Sequence, residues 1–91
     1  DIKEREIVSV GLKKQEIDII IKAQNKKELW IDCKNTKNRY GKNEMKRWLR
    51  IVEEMKVANG KIIFMVYSEN GFTANTKELL MEKGVFVIMN H

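Results

Sequence analysis

Three β-type segments joined by very short connections constrain the first third of this 91-residue chain more than any other feature. Glu6 to Val10 reads as a short strand, followed by a turn at Gly11-Leu12-Lys13-Lys14. Glu16 to Ala23, with isoleucine at 17, 19, 20 and 21, is a stronger strand. The polar link Gln24-Asn25-Lys26-Lys27 leads into a third strand, Glu28 to Lys34. Connections this short cannot hold crossovers, so the three strands form an antiparallel meander.

The pattern then changes period. Asn35 to Gly41 is polar, basic and turn-rich. Met45, Trp48, Leu49, Val52 and Met55 then recur on one face of a helix, which Asn59-Gly60 ends. Lys61 to Tyr67 is a continuous apolar run, the pattern of a strand covered on both faces. Thr73 is a suitable N-cap for a helix over Ala74 to Lys83, Gly84 stops it, and Val85 to Met89 supplies a last buried strand. The order β-β-β-α-β-α-β predicts an α/β fold with a central mixed sheet flanked by helices, the last two connections being right-handed crossovers.

Length and composition agree with one domain over residues 1–91. The chain is 43% hydrophobic and 34% charged, which excludes a disordered tail. No apolar stretch reaches the ~20 residues that span a bilayer, so no membrane partner is expected. The charged start reads as no signal peptide, and the single cysteine excludes an internal disulfide framework and a cysteine-based zinc site. Both features predict an intracellular, cytoplasmic location. The chain does not begin with Met, which fits a fragment of a longer protein.

Charge is more informative. The net +5 is concentrated between Lys34 and Arg50, where seven cations face only Glu44. Clustering of this kind points to a polyanionic partner, nucleic acid before any other. Lys37, Arg39, Lys42, Lys46 and Arg47 are the candidate phosphate contacts, and Tyr40 among them is a candidate for stacking on a base.

Three residues carry candidate chemistry. Asp32 and Lys34 project to one face of their strand with Trp30, while Ile31 and Cys33 project to the other. Glu16, Asp18 and Ile20 share a face of the preceding strand by the same rule. If the hairpin register joins these polar faces, carboxylates meet an amine at a strand end. A carboxylate in an isoleucine-rich strand needs compensation, and a hard divalent cation supplies it. The competing reading is an ordinary ion pair of Asp32 with Lys34 on a solvated sheet, with Asp18 capping a strand end. Cys33 has no histidine near it in sequence and reads as core. Trp48 reads as core, Trp30 as lining or support for the site, and His91 as a chain end.

The ordered set Glu16-Ile17-Asp18-Ile19-Ile20 and Leu29-Trp30-Ile31-Asp32-Cys33-Lys34 resembles the core motif of the restriction-endonuclease-like PD-(D/E)xK nuclease superfamily. Within it, the Mrr-like and archaeal Holliday-junction-resolvase-like branches are most similar. The stretch from Val66 to Thr73 and on through Ile88 resembles the Mrr-like ending, so the likeness covers about residues 6 to 90. The resemblance implies a Mg²⁺- or Mn²⁺-dependent DNA endonuclease of restriction, repair or recombination type. Asp18 and Asp32 match the metal-binding acids, Lys34 the catalytic lysine, and Glu16 a frequent additional acid. Double-stranded DNA is the implied partner, and cutting both strands calls for a homodimer. Asp32 departs from the glutamate or glutamine more common at its position. The resemblance further implies a leading helix that carries another glutamate and covers one sheet face, and no such helix is expected within residues 1–91. Glu4 and Glu6 are weak candidates for that missing acid. A catalytically inactive nucleic-acid-binding module of a larger protein, such as an ATPase, is the alternative, and a domain serving only protein contacts is a third.

Overall fold

The computed structural model describes residues 1–58 and 61–89, so the expected helix stop at Asn59-Gly60 and the terminal His91 lie outside the described residues. Five strands and two helices follow in the expected order: β1 (Ile2–Val10), β2 (Lys13–Lys22), β3 (Glu28–Lys34), α1 (Lys42–Ala58), β4 (Ile62–Ser68), α2 (Thr76–Glu82) and β5 (Phe86–Met89). They form one mixed sheet in the order β1-β2-β3-β4-β5. The first three strands run antiparallel, whereas β4 and β5 join β3 in parallel across the two helical crossovers.

Both helices pack on one face of the sheet, and the core lies between them. Trp48, Ile51 and Val52 of α1 and Leu80 of α2 are 0–1% exposed and meet Ile17, Ile20, Trp30, Phe64 and Val66 of the sheet. Phe64 is the hub, with its ring in edge contact with Trp30 and Trp48 at centroid distances of 6.0 and 6.1 Å. The other sheet face keeps Ile2, Ile7, Ile63, Phe86 and Ile88 between 37% and 66% exposed.

That one-sided cover corrects two expectations. In β4, Ile62, Phe64, Val66 and Ser68 are buried but Ile63 is 41% exposed, so the apolar run is covered on one face only. The last strand is likewise not buried: Phe86 is 61% exposed, and the buried residue of that segment is Val85, just before β5. An edge strand beside a seven-residue helix has too little above it to be enclosed.

Turn and cap chemistry also differs in detail. The first hairpin closes through Gly11-Leu12 alone, because Val10 pairs with Lys13 and Gly11 takes φ 61°, a conformation glycine adopts without steric cost. Thr73 does not cap α2. Its carbonyl accepts from the Thr76 N–H at 3.2 Å and its hydroxyl bonds that of Thr76 at 2.7 Å, while left-handed Asn75 (φ 67°) occupies the cap position.

One irregularity in β2 matters for function. Ile17 and Ile20 are both buried (1% and 2%), which a regular strand cannot do for residues three apart. The β1–β2 ladder omits the pair Arg5–Asp18 and Arg5 takes φ 53°, so alternation shifts at this point. The consequence corrects an expected grouping. Ile17 faces the helices, and Glu16 is therefore turned away from the face that holds Ile20.

Candidate active site

The site forms where β2 and β3 separate. Their ladder runs from Lys22–Glu28 to Ile19–Ile31 and stops, one step before Asp18 would pair with Asp32. The Cys33 N–H donates instead to Asp18 Oδ2 at 2.8 Å, so the carboxylate bridges the opening. Asp32 shares the helix-side face with buried Trp30, as alternation predicts, and is itself only 9% exposed.

Asp32 is held from three sides. The Tyr40 hydroxyl donates to its Oδ2 at 2.7 Å, Arg47 Nη1 stands 3.6 Å from its Oδ1, and the Asp18 carboxylate lies within interaction range. Burial pushes its pKa up to about 6, and the neighbouring Asp18 adds to the rise, through a side-chain hydrogen bond and its charge; Tyr40 and Arg47 oppose it without cancelling it.

Lys34, two residues on, ion-pairs with Glu44 in the first turn of α1. The other oxygen of Glu44 accepts the Gly41 N–H at 3.2 Å, the reach of an N3 glutamate back to the N-cap. The Lys34 hydrogen bond holds the Glu44 carboxyl below its ordinary pKa. Asp32, Lys34, Thr36, Tyr40, Glu44 and Arg47 line an open pocket of about 240 Å³.

Of the residues singled out from sequence, Asp18, Asp32, Lys34 and Arg47 are brought together. Glu16 is not. Its exposed carboxylate pairs with Arg5 Nε at 3.1 Å, and only its backbone carbonyl reaches the site, accepting from Arg47 Nη2 at 2.9 Å. Tyr40 is corrected as a base-stacking residue. Its ring is 1% exposed, packs on Phe72 at 5.6 Å, and serves the site through its hydroxyl, whose pKa burial raises. Lys37, Arg39, Lys42 and Lys46 are exposed on the loop and on α1. Cys33 lies between the acids, its thiol pushed up to about 11 chiefly by burial, which suits an unreactive side chain.

Glu44 was legible only as a lone acid in a basic segment. The signal that could have found it is the spacing Gly41-x-x-Glu44 at a helix start. Among the described residues, no group of three or more His, Cys, Asp or Glu side chains could hold a metal ion. Two carboxylates within interaction range could still hold Mg²⁺, which binds through one or two such groups and keeps several waters. Burial, the main cause of the raised Asp32 pKa, disfavours its charged form, and a bound cation would offset that penalty.

No protein-family model and no curated protein matches the sequence. Solved structures do share the fold. A protein of unknown function, AF1548, superposes with a TM-score of 0.79 at 19% identity, over 98% of this chain and 48% of that one. A repair endonuclease from Pyrococcus abyssi superposes with a TM-score of 0.72 at 11% identity, over 98% of this chain and 37% of that one. The chain therefore spans less than half the length of either. It is a small α/β domain with a five-stranded mixed sheet and two helices, similar to a nuclease fold. No helix among the described residues is long and apolar enough to cross a membrane.

Proposed function

We propose that this domain is a metal-dependent endonuclease that hydrolyses phosphodiester bonds in DNA, of the Mrr-like or archaeal Holliday-junction-resolvase-like branch. The observation that carries the reading is buried Asp32, within interaction range of the Asp18 carboxylate, in the pocket that Lys34 lines. A domain built only for binding gains nothing from burying Asp32 beside a second acid where a polyanion would bind. The fold of the Pyrococcus abyssi repair endonuclease, similar in shape, supports the same class.

In this reading Asp18 and Asp32 would be the residues that hold Mg²⁺ or Mn²⁺. Such an ion polarises a phosphate and lowers the pKa of bound water. The chain's own groups do the rest. Tyr40 and Arg47 fix the orientation of Asp32, and the Cys33 N–H fixes that of Asp18. Lys34, swung from Glu44 toward an incoming phosphate, offsets charge on the non-bridging oxygens and orients the attacking water. Lys37, Arg39, Lys42 and Lys46 meet the backbone on either side. A two-fold dimer would present one such site to each strand.

The inactive binding module is the second reading. It is favoured by one observation, the neutralisation of Lys34 by Glu44 beside a site with only two adjoining acids. A plasmid-nicking assay with Mg²⁺ or Mn²⁺, run beside a duplex-binding titration in Ca²⁺, separates the two. The nuclease reading expects Asp18→Asn and Lys34→Ala to lose cutting by orders of magnitude while binding persists. If both variants of the full-length protein cut as fast as wild type, the site assignment is wrong. Binding without any cutting by the full-length wild type favours the module.

A further inference from the structure

The active-site pocket has a neighbour. A second open cavity, of about 350 Å³, is lined by Val10, Leu12, Lys13, Gln15, Arg50 and Glu54 together with Arg47, the residue it shares with the first. Its cations come from two elements that the sequence keeps far apart, the β1–β2 hairpin and the exposed side of α1. Lys13 faces this cavity because it pairs with inward-facing Val10 across the two-residue turn. Lys14, one step on, pairs with Ser9 on the opposite face. Three cations against Glu54 leave the cavity with net positive charge. Leu12, at the hairpin tip, is fully exposed (107%) on a turn that leaves it no slack.

We infer that this cavity is a second nucleic-acid subsite, in which Lys13 and Arg50 seat a backbone phosphate next to the one at Asp32 while Leu12 enters the adjoining groove. The inference rests on the proposed nuclease reading and extends it to residues outside the loop at 37–42. Arg47 is the hinge between the seats. Its Nη1 faces Asp32 and its Nη2 is anchored on the Glu16 carbonyl, so the guanidinium stands between the scissile position and the neighbouring phosphate. A cation seat is read through salt, since each phosphate contact contributes about 0.9 to the slope of log affinity against log salt. An apolar side chain inserted in a groove contributes affinity that salt does not change.

The test is a fluorescence-anisotropy titration of a 20-base-pair DNA duplex in Ca²⁺, at salt concentrations from about 50 to 200 mM. Lys13→Ala with Arg50→Ala is expected to lower the slope by about 0.9, the share of the one phosphate they seat. Lys14→Ala, the same charge on the other face, is expected to leave it unchanged. Leu12→Ser is expected to weaken binding several-fold at every salt concentration with the slope unaltered. Wild type that binds with a slope the double variant does not change, or that Lys14→Ala lowers equally, overturns the subsite and leaves the nuclease reading standing. Leu12→Ser binding like wild type overturns the groove contact. Wild type that binds no duplex overturns the nucleic-acid reading itself, and the subsite with it.

Discussion

The hydroxyl of Tyr40 donates a 2.7 Å hydrogen bond to Oδ2 of Asp32 from a ring that is itself 1% exposed. A residue in the middle of a basic loop is thereby committed to holding an acid eight positions earlier. The loop Asn35–Gly41 is pinned from the same point, because the Tyr40 N–H donates to the Gly71 carbonyl at 2.9 Å. Removing the hydroxyl alone isolates its effect on the acid. Tyr40→Phe is expected to raise the Asp32 pKa above its value of about 6, since the bond favours the ionised form. At pH 8 it is expected to cost about 1.5–3 kcal/mol of stability, as a hydrogen bond to a charged group does. Carbon-13 NMR titration of the Asp32 carboxyl checks the first, and urea unfolding the second.

Asp32 makes the fold less stable as pH rises. Its folded pKa of about 6 lies above the ordinary 3.8, so between those values the folded state holds a proton that the unfolded state has released. Stability from this group therefore falls from about pH 4 to pH 6, and the penalty stays in place above that, worth about 3 kcal/mol. Asp32→Asn is expected to unfold at higher urea than wild type at pH 7.5, with the difference gone by about pH 4. Millimolar Mg²⁺ should raise the wild-type melting temperature at pH 7.5 and leave Asp32→Asn unmoved. Equal stability of the two proteins at both pH values would contradict the placement of this carboxylate.

Glu44 works in the opposite direction. Its pKa is held down, first by the hydrogen bond from Lys34, so its contribution is present above its unfolded pKa and is lost as pH falls through the folded value. Glu44→Ala removes both the partner of Lys34 and the acceptor of the Gly41 N–H. It is expected to cost about 1 kcal/mol at pH 7 and progressively less as a second, more acidic pH passes below the ordinary carboxylate range. Glu44→Gln keeps the cap and recovers part of the loss, which separates the cap from the ion pair. Thermal melts of the two variants at both pH values decide it.

Much of this architecture was written in local patterns, and the misses have physical causes. The strand order and the β3 boundaries followed from short connections and alternation, which depend on neighbours in sequence. The same alternation misplaced Glu16, because Arg5 breaks the period with a left-handed φ that its residue type does not announce. Tyr40 looked like a surface aromatic among cations. Its burial depends on Phe72 and Gly71, thirty residues away, to which no local signal connects it. Cover on both faces of β4 was read from composition, yet both helices pack on one side of the sheet. At the site, a hairpin register was expected to join the faces of Asp18 and Asp32, yet the ladder stops one step short of that pair and the Cys33 N–H takes up Asp18 instead. The Lys34–Glu44 pair was hidden in a segment read for its net charge.

Phe64 tests the packing independently of function. Its ring lies edge-on between Trp30 and Trp48 and is 1% exposed, so truncation leaves a cavity that two large rigid indoles cannot close. Phe64→Ala is expected to cost about 3–5 kcal/mol, and Phe64→Leu clearly less. Chemical denaturation of both variants gives the comparison, and a loss under about 1 kcal/mol for the alanine would mean this hub is not central.

The basic loop offers the last test, and its outcome depends on geometry that sequence could not supply. Lys37, Arg39 and Lys42 are exposed and flank the pocket containing Asp32 and Lys34 in sequence, with Thr36 and Tyr40 of the same stretch lining it. Cations so placed meet phosphates on either side of a bound scissile group and carry no base preference of their own. Replacing all three by alanine is expected to weaken duplex binding to a similar degree for unrelated sequences. The slope of log affinity against log salt should fall by up to about 3, one contact for each cation. Thermal stability should change little, since exposed lysine and arginine contribute little to folding. A titration series in Ca²⁺ on two duplexes of different sequence measures all of this. An unchanged slope would reduce these residues to a solvated surface and move the binding face to the hairpin side of Arg47.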